Sequence, residues 1–326
     1  MNKHLKLVLK LAVAAALLYM LMASDKLDFR KLSIFIDEPK YLAANFFLYA
    51  IFIVLGAIRW HILMSGLNIH LPLMKTIQLQ MIGMFFNTTM PGSVGGDLIK
   101  AVYVMKENDG RKTRALLSIF IDRVCGVMGL FILATLAMTM NTEAVFGNPT
   151  LASLGFIVIF AAIGICVVFV ILKLPYKEDT DPILKIINNN RVLKKLETIY
   201  IAICSYRQKP EKLFYALMIG GIVQGSYMVY FAYITEALTG VFPDIFLFAT
   251  IFPFGMIMTS LPLAPAGMGV GHYAFEALYR TMSLSGGADV FNVIQIAILA
   301  TGVLGIVPYL MYKAHIPDIR ALQDEK

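Results

Sequence analysis

Four ionic residues lie within or beside apolar stretches of the chain, and their side chains could do chemistry. Asp97 and Lys100 follow a glycine-rich turn, and their three-residue spacing places them on one helix face. Asp122 and Arg123 lie about a third of the way into the apolar run 115–140. Ionisable groups at membrane depth are costly and usually functional. Arginine binds phosphate through two hydrogen bonds, so Arg123 is a candidate phosphate ligand; the alternative is a buried ion pair with Asp97 or another group of the hairpin.

The position of Asp97 at the start of a helix has two interpretations. As an N-cap, the carboxylate would stabilise the helix by about 1 kcal/mol. At the tip of a hairpin that enters the membrane, it would instead be a functional charge. The backbone N–H groups of residues 94–98 form a helix N-terminus, which is an anion site unless the segment is an ordinary tight turn. Asp97 disfavours a phosphate directly on these amides, because like charges would meet.

A second constellation follows the second glycine-rich turn. His272 and Glu276 are one helical turn apart and could share a proton, although a histidine at a helix start often serves as a cap. We predict no metal site and no cofactor, because neither a third ligand nor a His-Glu-x-x-His pattern accompanies this pair. The predicted substrate-binding residues are Gly95, Gly96, Asp97, Lys100, Asp122, Arg123, Gly269, Gly271, His272 and Glu276. The glycines are included because tight turns and close backbone approach require them.

The composition indicates which elements position these residues. The 326-residue chain is 59% hydrophobic and 15% charged, with a mean hydropathy of +0.74. A soluble globular domain carries about 25% charge, so that class is excluded. Apolar runs of about 18 residues or more indicate membrane-spanning helices. We predict an all-α polytopic membrane protein with six spans, at 7–23, 41–64, 115–140, 151–172, 213–238 and 290–312. Arg59 and Trp60, near the end of the second span, are interpreted as a headgroup-level anchor.

Two further apolar runs, 74–106 and 245–282, are interrupted by Pro and Gly. Irregular backbone at membrane depth is tolerated only inside protein or beside a wet cavity, so we predict two re-entrant helical hairpins. The positive-inside rule places the loops 100–114 and 173–212 and both termini in the cytoplasm. The hairpins then enter from opposite sides, which predicts an inverted repeat, unless the two glycine turns match by chance.

The basic segment 173–212 separates a first half, 1–172, from a second half, 213–326, within one transmembrane domain. In this segment Val192, Leu196, Ile199 and Ile203 recur at helical spacing. The spacing predicts an amphipathic helix along the cytoplasmic membrane surface. The net charge of +7 is concentrated in such loops, so it indicates which loops face the cytoplasm. We therefore expect no nucleic-acid partner.

Three motifs together resemble the flippase-like membrane domain of lysylphosphatidylglycerol synthases: the segment 87–97 (NTTMPGSVGGD), the Asp122-Arg123 pair and the segment 265–272 (PAGMGVGH). The resemblance covers essentially the whole chain. It implies the lipid-moving part alone, without the soluble aminoacyl-transferase or glycosyltransferase domain that family members often carry. Members often have Arg where this chain has Lys100, and an Arg-Glu pair near Gly271-His272. Because the chain departs from the family pattern at these positions, the resemblance does not identify the substrate.

The sequence therefore predicts a flippase of the cell membrane (inner membrane) that moves a phospholipid or polyprenyl-linked lipid between leaflets. Its partners would be membrane lipids with anionic or amino-modified headgroups, and a homo-oligomer is compatible with the sequence. The alternatives are an integral-membrane enzyme acting on a lipid headgroup and a scaffold whose basic segment recruits partners. We expect no enzyme, because the sequence offers no Ser-His-Asp set, clustered carboxylates or nucleotide-binding loop.

Overall fold

The computed structural model describes residues 33–89, 95–107, 112–173, 181–190, 194, 197–260 and 269–312. Every regular element within these residues is helical, which confirms the predicted all-α polytopic membrane protein. The α-helices are α1 (Ser33–Asp37), α2 (Pro39–Gly66), α3 (Leu73–Thr89), α4 (Gly95–Glu107), α5 (Lys112–Met140), α6 (Thr142–Phe146), α7 (Pro149–Lys173), α8 (Pro182–Asn189), α9 (Glu197–Cys204), α10 (Pro210–Thr239), α11 (Ile245–Ser260), α12 (Val270–Thr281), α13 (Gly287–Gly302) and α14 (Ile306–Met311). A 3₁₀ turn, Val303–Gly305, joins the last two.

Five stretches of the described helices are long and apolar enough to cross a membrane: Pro39–Gly66, Thr113–Met140, Leu151–Ile171, Pro210–Thr239 and Gly287–Met311. They coincide with five of the six predicted spans, and the predicted span 7–23 lies outside the described residues. The helices α2, α5 and α10 contain 28, 29 and 30 residues. At 1.5 Å per residue they extend about 42–45 Å, more than the ~30 Å hydrocarbon core of a bilayer.

The first interrupted run folds as an antiparallel hairpin of α3 and α4. Lys75 near its open end pairs with Glu107 (Nζ–Oε2 2.6 Å), and nearer the tip Asn87 Oδ1 accepts the Gly96 N–H at 2.9 Å. The tip residues 90–94 lie outside the described residues. With 17 and 13 residues, the two helices extend only about 26 and 20 Å, so neither alone spans the hydrocarbon core.

The second interrupted run forms a matching hairpin of α11 and α12. The Phe248 ring lies 5.8 Å from the Tyr279 ring, and the Phe252 ring lies 6.0 Å from the Phe275 ring, so the two helices are antiparallel. Residues 261–268 at the tip lie outside the described residues. The helices contain 16 and 12 residues and extend about 24 and 18 Å.

The two hairpins open toward opposite ends of the bundle. At the basic end, where α10 begins, Lys212 Nζ donates to Ser65 Oγ on α2 at 2.5 Å, and a short loop leads from α2 into α3. At the far end, Asn141 after α5 donates to Asp244 before α11 at 3.2 Å. The loops that the sequence places on the same side of the membrane therefore lie at the same end of the bundle. Which end faces the cytoplasm, the re-entry into the membrane and the inverted repeat stay predictions.

Two hydrophobic cores divide the bundle along its length. The basic-end core contains α3 and α4, and its largest buried side chains include Trp60, Phe85 and Tyr206. The far-end core contains α11 and α12, with Phe231 and Phe252 among its buried rings. The long helices α2, α5 and α10 contribute to both cores, whereas each hairpin contributes to one. Each hairpin is therefore packed into its own half of the bundle.

The basic segment 173–212 is described only in part, so the predicted amphipathic helix along the membrane surface stays a prediction. It contains two short helices, α8 and α9; α9 covers the end of the predicted helix, while Val192 and Leu196 lie outside the described residues. Tyr206, just after α9, is fully buried, and its hydroxyl donates to the Leu63 carbonyl of α2 at 2.8 Å. The segment is thus anchored in the bundle by a tyrosine that helical spacing did not single out.

Candidate functional site

Asp97 and Arg123 meet where the start of α4 packs against α5. Asp97 lies in the first turn of α4, where a carboxylate is favourable, and its Oδ2 forms an ion pair with Arg123 Nε. Its Oδ1 lies 3.2 Å from Lys100 Nζ, one turn along the same helix. The carboxylate therefore has two cationic partners. This geometry agrees with the ion-pair interpretation of Arg123 and gives Asp97 more than a capping role.

The Lys100 ammonium is held on three sides in the basic-end core. Besides Asp97, it contacts Gln80 Oε1 on α3 at 3.4 Å and lies 4.8 Å above the Trp60 ring on α2. A cation over an indole face is stabilised by the ring quadrupole, most strongly where water is excluded. Gly83 makes room for the lysine stem, because a Cβ there would lie 2.8 Å from Lys100 Cδ.

Asp122 points away from this cluster and pairs with Arg59 on α2. The two make a double contact, Nε–Oδ1 at 2.7 Å and Nη2–Oδ2 at 3.0 Å, and both residues are buried. The adjacent Trp60 is also buried, and its indole N–H donates to Ser118 Oγ at 3.2 Å. The predicted headgroup-level anchor at Arg59 and Trp60 is therefore wrong, because both side chains point into the protein.

The ionic residues at this site carry an excess positive charge. Arg59, Lys100 and Arg123 contribute three positive charges, and Asp97 and Asp122 contribute two negative charges. Four of these side chains are at most 10% exposed, whereas the Arg123 side chain is 42% exposed. Among these five side chains Arg123 is thus the most exposed, and its guanidinium suits an anionic ligand.

The glycines at the start of α4 hold the two hairpin helices together. Gly95 and Gly96 are buried, and a Cβ on Gly96 would collide with the Gly83 carbonyl on α3. The Gly96 N–H already donates to Asn87 Oδ1. One of the amides in the predicted anion site is therefore occupied by a side chain of the protein.

His272 and Glu276 lie in the second hairpin, and their partners differ from the predicted shared proton. His272 Nδ1 accepts the Gly269 N–H at 3.2 Å, and its Nε2 lies 3.5 Å from Asn292 Oδ1 on α13. Glu276 Oε2 accepts the Ala288 N–H at 3.2 Å, and its Oε1 pairs with an arginine one turn later. The hypothesis of proton sharing is wrong, because both side chains are bonded elsewhere; the capping alternative for His272 agrees with the geometry.

Gly269 and Gly271 shape the start of α12 for different reasons. Gly269 has a positive φ of 86°, a conformation that favours glycine. Gly271 packs directly against the Phe291 ring on α13, where a Cβ would clash. Among the described residues, no group of three or more His, Cys, Asp or Glu side chains is arranged to hold a metal ion.

Arg59 is the site residue that sequence reasoning missed. Its signal was present, since an arginine inside an apolar run requires a partner, and Asp122 was one of the carboxylates within the apolar runs. Proximity to Trp60 and to the end of the run favoured the interface interpretation instead. The pairing of Arg59 with Asp122 depends on the relative rotation of α2 and α5, which the sequence of either helix alone does not determine.

Comparison with known proteins adds a family relationship. Residues 7–311 match the model of the family described as the lysylphosphatidylglycerol synthase TM region. The chain is also similar to the UPF0104 membrane protein PH1989 of Pyrococcus horikoshii, with 26% identity over 102 residues. That alignment covers 31% of this chain and 30% of the relative. No solved structure matches the chain at a significant level.

Proposed function

Because the chain belongs to the lysylphosphatidylglycerol synthase TM-region family, a lipid-related family of multi-pass membrane proteins, we propose that it is a lipid transporter. The transported molecule is a phospholipid, or another lipid with a phosphate next to its hydrophobic part, that moves between the two leaflets as in a flippase. The observation that carries the proposal is the half-exposed Arg123 in a cluster with one excess positive charge.

A crossing phosphate must stay paired or solvated, because an unpaired charge at the bilayer centre costs several kcal/mol. Arg123 supplies two parallel N–H donors, the geometry that suits phosphate. When Arg123 turns toward a phosphate, Asp97 keeps Lys100 as a partner at 3.2 Å. The carboxylate is therefore not left as a lone buried charge.

The two hairpins support a site between the leaflets. Each is packed in one half of the bundle, and each opens toward a different end. Arg123 lies eleven residues after the start of α5, about 16 Å along a helix of about 43 Å. One turn later on α5, Val127 packs against a small hydrophobic cluster of Phe131, Ala134 and Val158. Ile257, in the last turn of α11, packs against the same cluster. Elements of both hairpins thus approach the level of Arg123, which favours a transport path there.

Transport of a headgroup-labelled phospholipid in proteoliposomes tests the proposal. We expect Arg123→Ala to slow transport about tenfold to a hundredfold, the equivalent of one lost charge-assisted contact of ~1.5–3 kcal/mol. Arg123→Lys should fall between this variant and the wild type, because it keeps the charge and loses the second donor. Arg280→Ala is the matched control, since its side chain is 75% exposed and pairs at the surface with Glu276.

Wild-type transport rates in Arg123→Ala would overturn the proposed role of the guanidinium. Mass spectrometry of the vesicle lipids tests the alternative, an enzyme acting on a headgroup. A chemically altered headgroup would contradict simple transport, and an unaltered lipid in the opposite leaflet would support it.

A further inference from the structure

An apolar groove lies between α5, α7 and α10 on the basic-end half of the bundle. Its volume is about 190 Å³, and it is lined by apolar side chains, including Phe120, Val124 and Met128 of α5 and Val168 of α7. Tyr206, the anchor of the basic segment, forms part of its wall. The groove has room for a ligand, and none of the described side chains that line it is charged, so its chemistry suits a hydrocarbon.

The groove lies at the level of Arg123 along α5. Phe120 and Val124 line it and belong to the same helical turn as Arg123, within about 6 Å along the axis of α5. Phe120 is 41% exposed and lies three residues before Arg123. Because residues three apart are neighbours on a helix surface, Phe120 is the lining residue that lies next to Arg123.

The size of the groove sets what it can hold. An apolar cavity of about 150 Å³ is enough for benzene, so about 190 Å³ accommodates a segment on the order of six to eight carbons. The wall formed by α7 borders the bilayer, because only 11% of its most apolar window is buried in the protein. A chain in the surrounding lipid can reach the groove from that side.

We propose that the groove holds one acyl chain of a phospholipid whose phosphate contacts Arg123. This inference rests on the proposed function and adds the position of the acyl chain to it. Lipid tails are as apolar as the groove, so burial alone gives little driving force within a bilayer. The contact between phosphate and guanidinium keeps the lipid in place, and packing in the groove orients its chain.

Photolabelling tests the proposal without requiring transport. The full-length protein is reconstituted into nanodiscs with phosphatidylglycerol that carries a diazirine on one acyl chain, and labelled residues are identified by mass spectrometry. Gly164→Phe adds a ring at a residue that lines the groove, where a Cβ meets no atom within 4 Å. Val167→Phe is the matched control on the same helix, at a position 48% exposed and outside the groove lining.

We expect labelling of Met128 and Val168 to fall at least about fivefold in Gly164→Phe and to stay unchanged in Val167→Phe, since only the first removes volume from the groove. Labelling no stronger than at Phe160 on the outer face of α7, or insensitive to Gly164→Phe, would overturn the proposal. We also expect Arg123→Ala to lower the labelling by phosphatidylglycerol but not by diacylglycerol with the same diazirine chain. Equal loss for both lipids would refute the link between phosphate and groove.

The two proposals fail in different ways. Strong groove labelling in a protein that does not transport lipid would refute the transporter and leave the acyl-chain site standing. Transport that depends on Arg123 but persists without labelling of the groove would refute the acyl-chain site alone.

Discussion

The Arg59 guanidinium on α2 and the Asp122 carboxylate on α5 make two parallel contacts, of 2.7 and 3.0 Å, inside the bundle. Glycines on two neighbouring helices give the guanidinium its space. A Cβ on Gly126 would lie 3.3 Å from Arg59 Nη1, and one on Gly220 would lie 3.6 Å from it. The pair joins two long helices next to the residue that we propose as the phosphate ligand.

Removing one partner of this pair should destabilise the protein strongly. We expect Asp122→Ala to lower the free energy of unfolding by about 3–5 kcal/mol, because Arg59 would remain as a buried charge without its carboxylate. The double variant Arg59→Met, Asp122→Leu should recover most of the loss, since apolar residues of similar volume can replace a buried pair. Denaturation of the purified variants in detergent gives the comparison. A double variant as unstable as Asp122→Ala would contradict a purely electrostatic cause.

Neutralising Asp97 should impair transport severely, because its carboxylate is shared by Lys100 and Arg123. Asp97→Asn raises the excess charge of the cluster from one to two and leaves two cations to repel each other at low dielectric. Adding Lys100→Gln restores the original excess and should recover folded yield. Transport is measured per folded molecule, with yield followed by size-exclusion chromatography. Wild-type transport in Asp97→Asn would show that the ion pair with Arg123 is dispensable.

Close helix packing at Gly96 should make even a small substitution costly. In Gly96→Ala the added methyl would meet the Gly83 carbonyl, so α3 and α4 would have to separate. We expect a loss of about 1–3 kcal/mol and a lower folded yield. Gly164→Ala serves as the control, because its Cβ would enter open space, and its effect should stay within about 0.5 kcal/mol. Equal thermal stability of the two variants would argue against tight packing.

The hydroxyl of Tyr206 should help to hold the basic segment on the bundle. Tyr206→Phe removes the bond to the Leu63 carbonyl, which we expect to cost about 1 kcal/mol. Tyr206→Ala also leaves a cavity and should cost about 3–5 kcal/mol. Limited proteolysis would show faster cleavage between α8 and α10 in both variants. Tyr215→Phe, at an exposed position on α10, should leave the cleavage rate unchanged.

Asp181 should make the basic segment sensitive to acid. Burial raises the pKa of this carboxyl, but hydrogen bonds from Tyr200 and from the N–H groups of Leu184 and Ile183, with the charge of Arg207, outweigh it and hold the pKa below its usual value. A lowered pKa in the folded state gives stability that is present above the unfolded value of about 3.9 and is lost as the pH falls through the folded value.

The measurement for Asp181 is amide exchange in α8 and α9 over a range of pH. After correction for intrinsic exchange rates, we expect the protection of these helices to decrease below about pH 4. Asp181→Asn should lower protection at neutral pH and remove this decrease. A variant with the wild-type pH profile would assign the acid sensitivity to another group.

The spans and interruptions could be predicted because each follows from the local pattern of apolar residues, proline and glycine. The pairing of Asp97 with Arg123 was one of two alternatives that the sequence left open. The partners of Arg59, His272 and Glu276 could not be predicted, because each depends on the rotation of one helix against another. For Glu276, correct helical spacing to His272 was not enough, since the Ala288 N–H on the adjoining chain segment binds the carboxylate.

The glycine contact between α5 and α10 brings the backbones of the two helices together at one level of the bundle. A Cβ on Gly129 would lie 2.6 Å from the backbone of Gly220 and of Gly221, so the two helices touch there. Arg123 lies about 9 Å from this point along α5, and Met140 lies about 17 Å away on the other side. If α5 tilted as a rigid body about this contact, Arg123 and Met140 would move in opposite directions, and Arg123 would move roughly half as far as Met140.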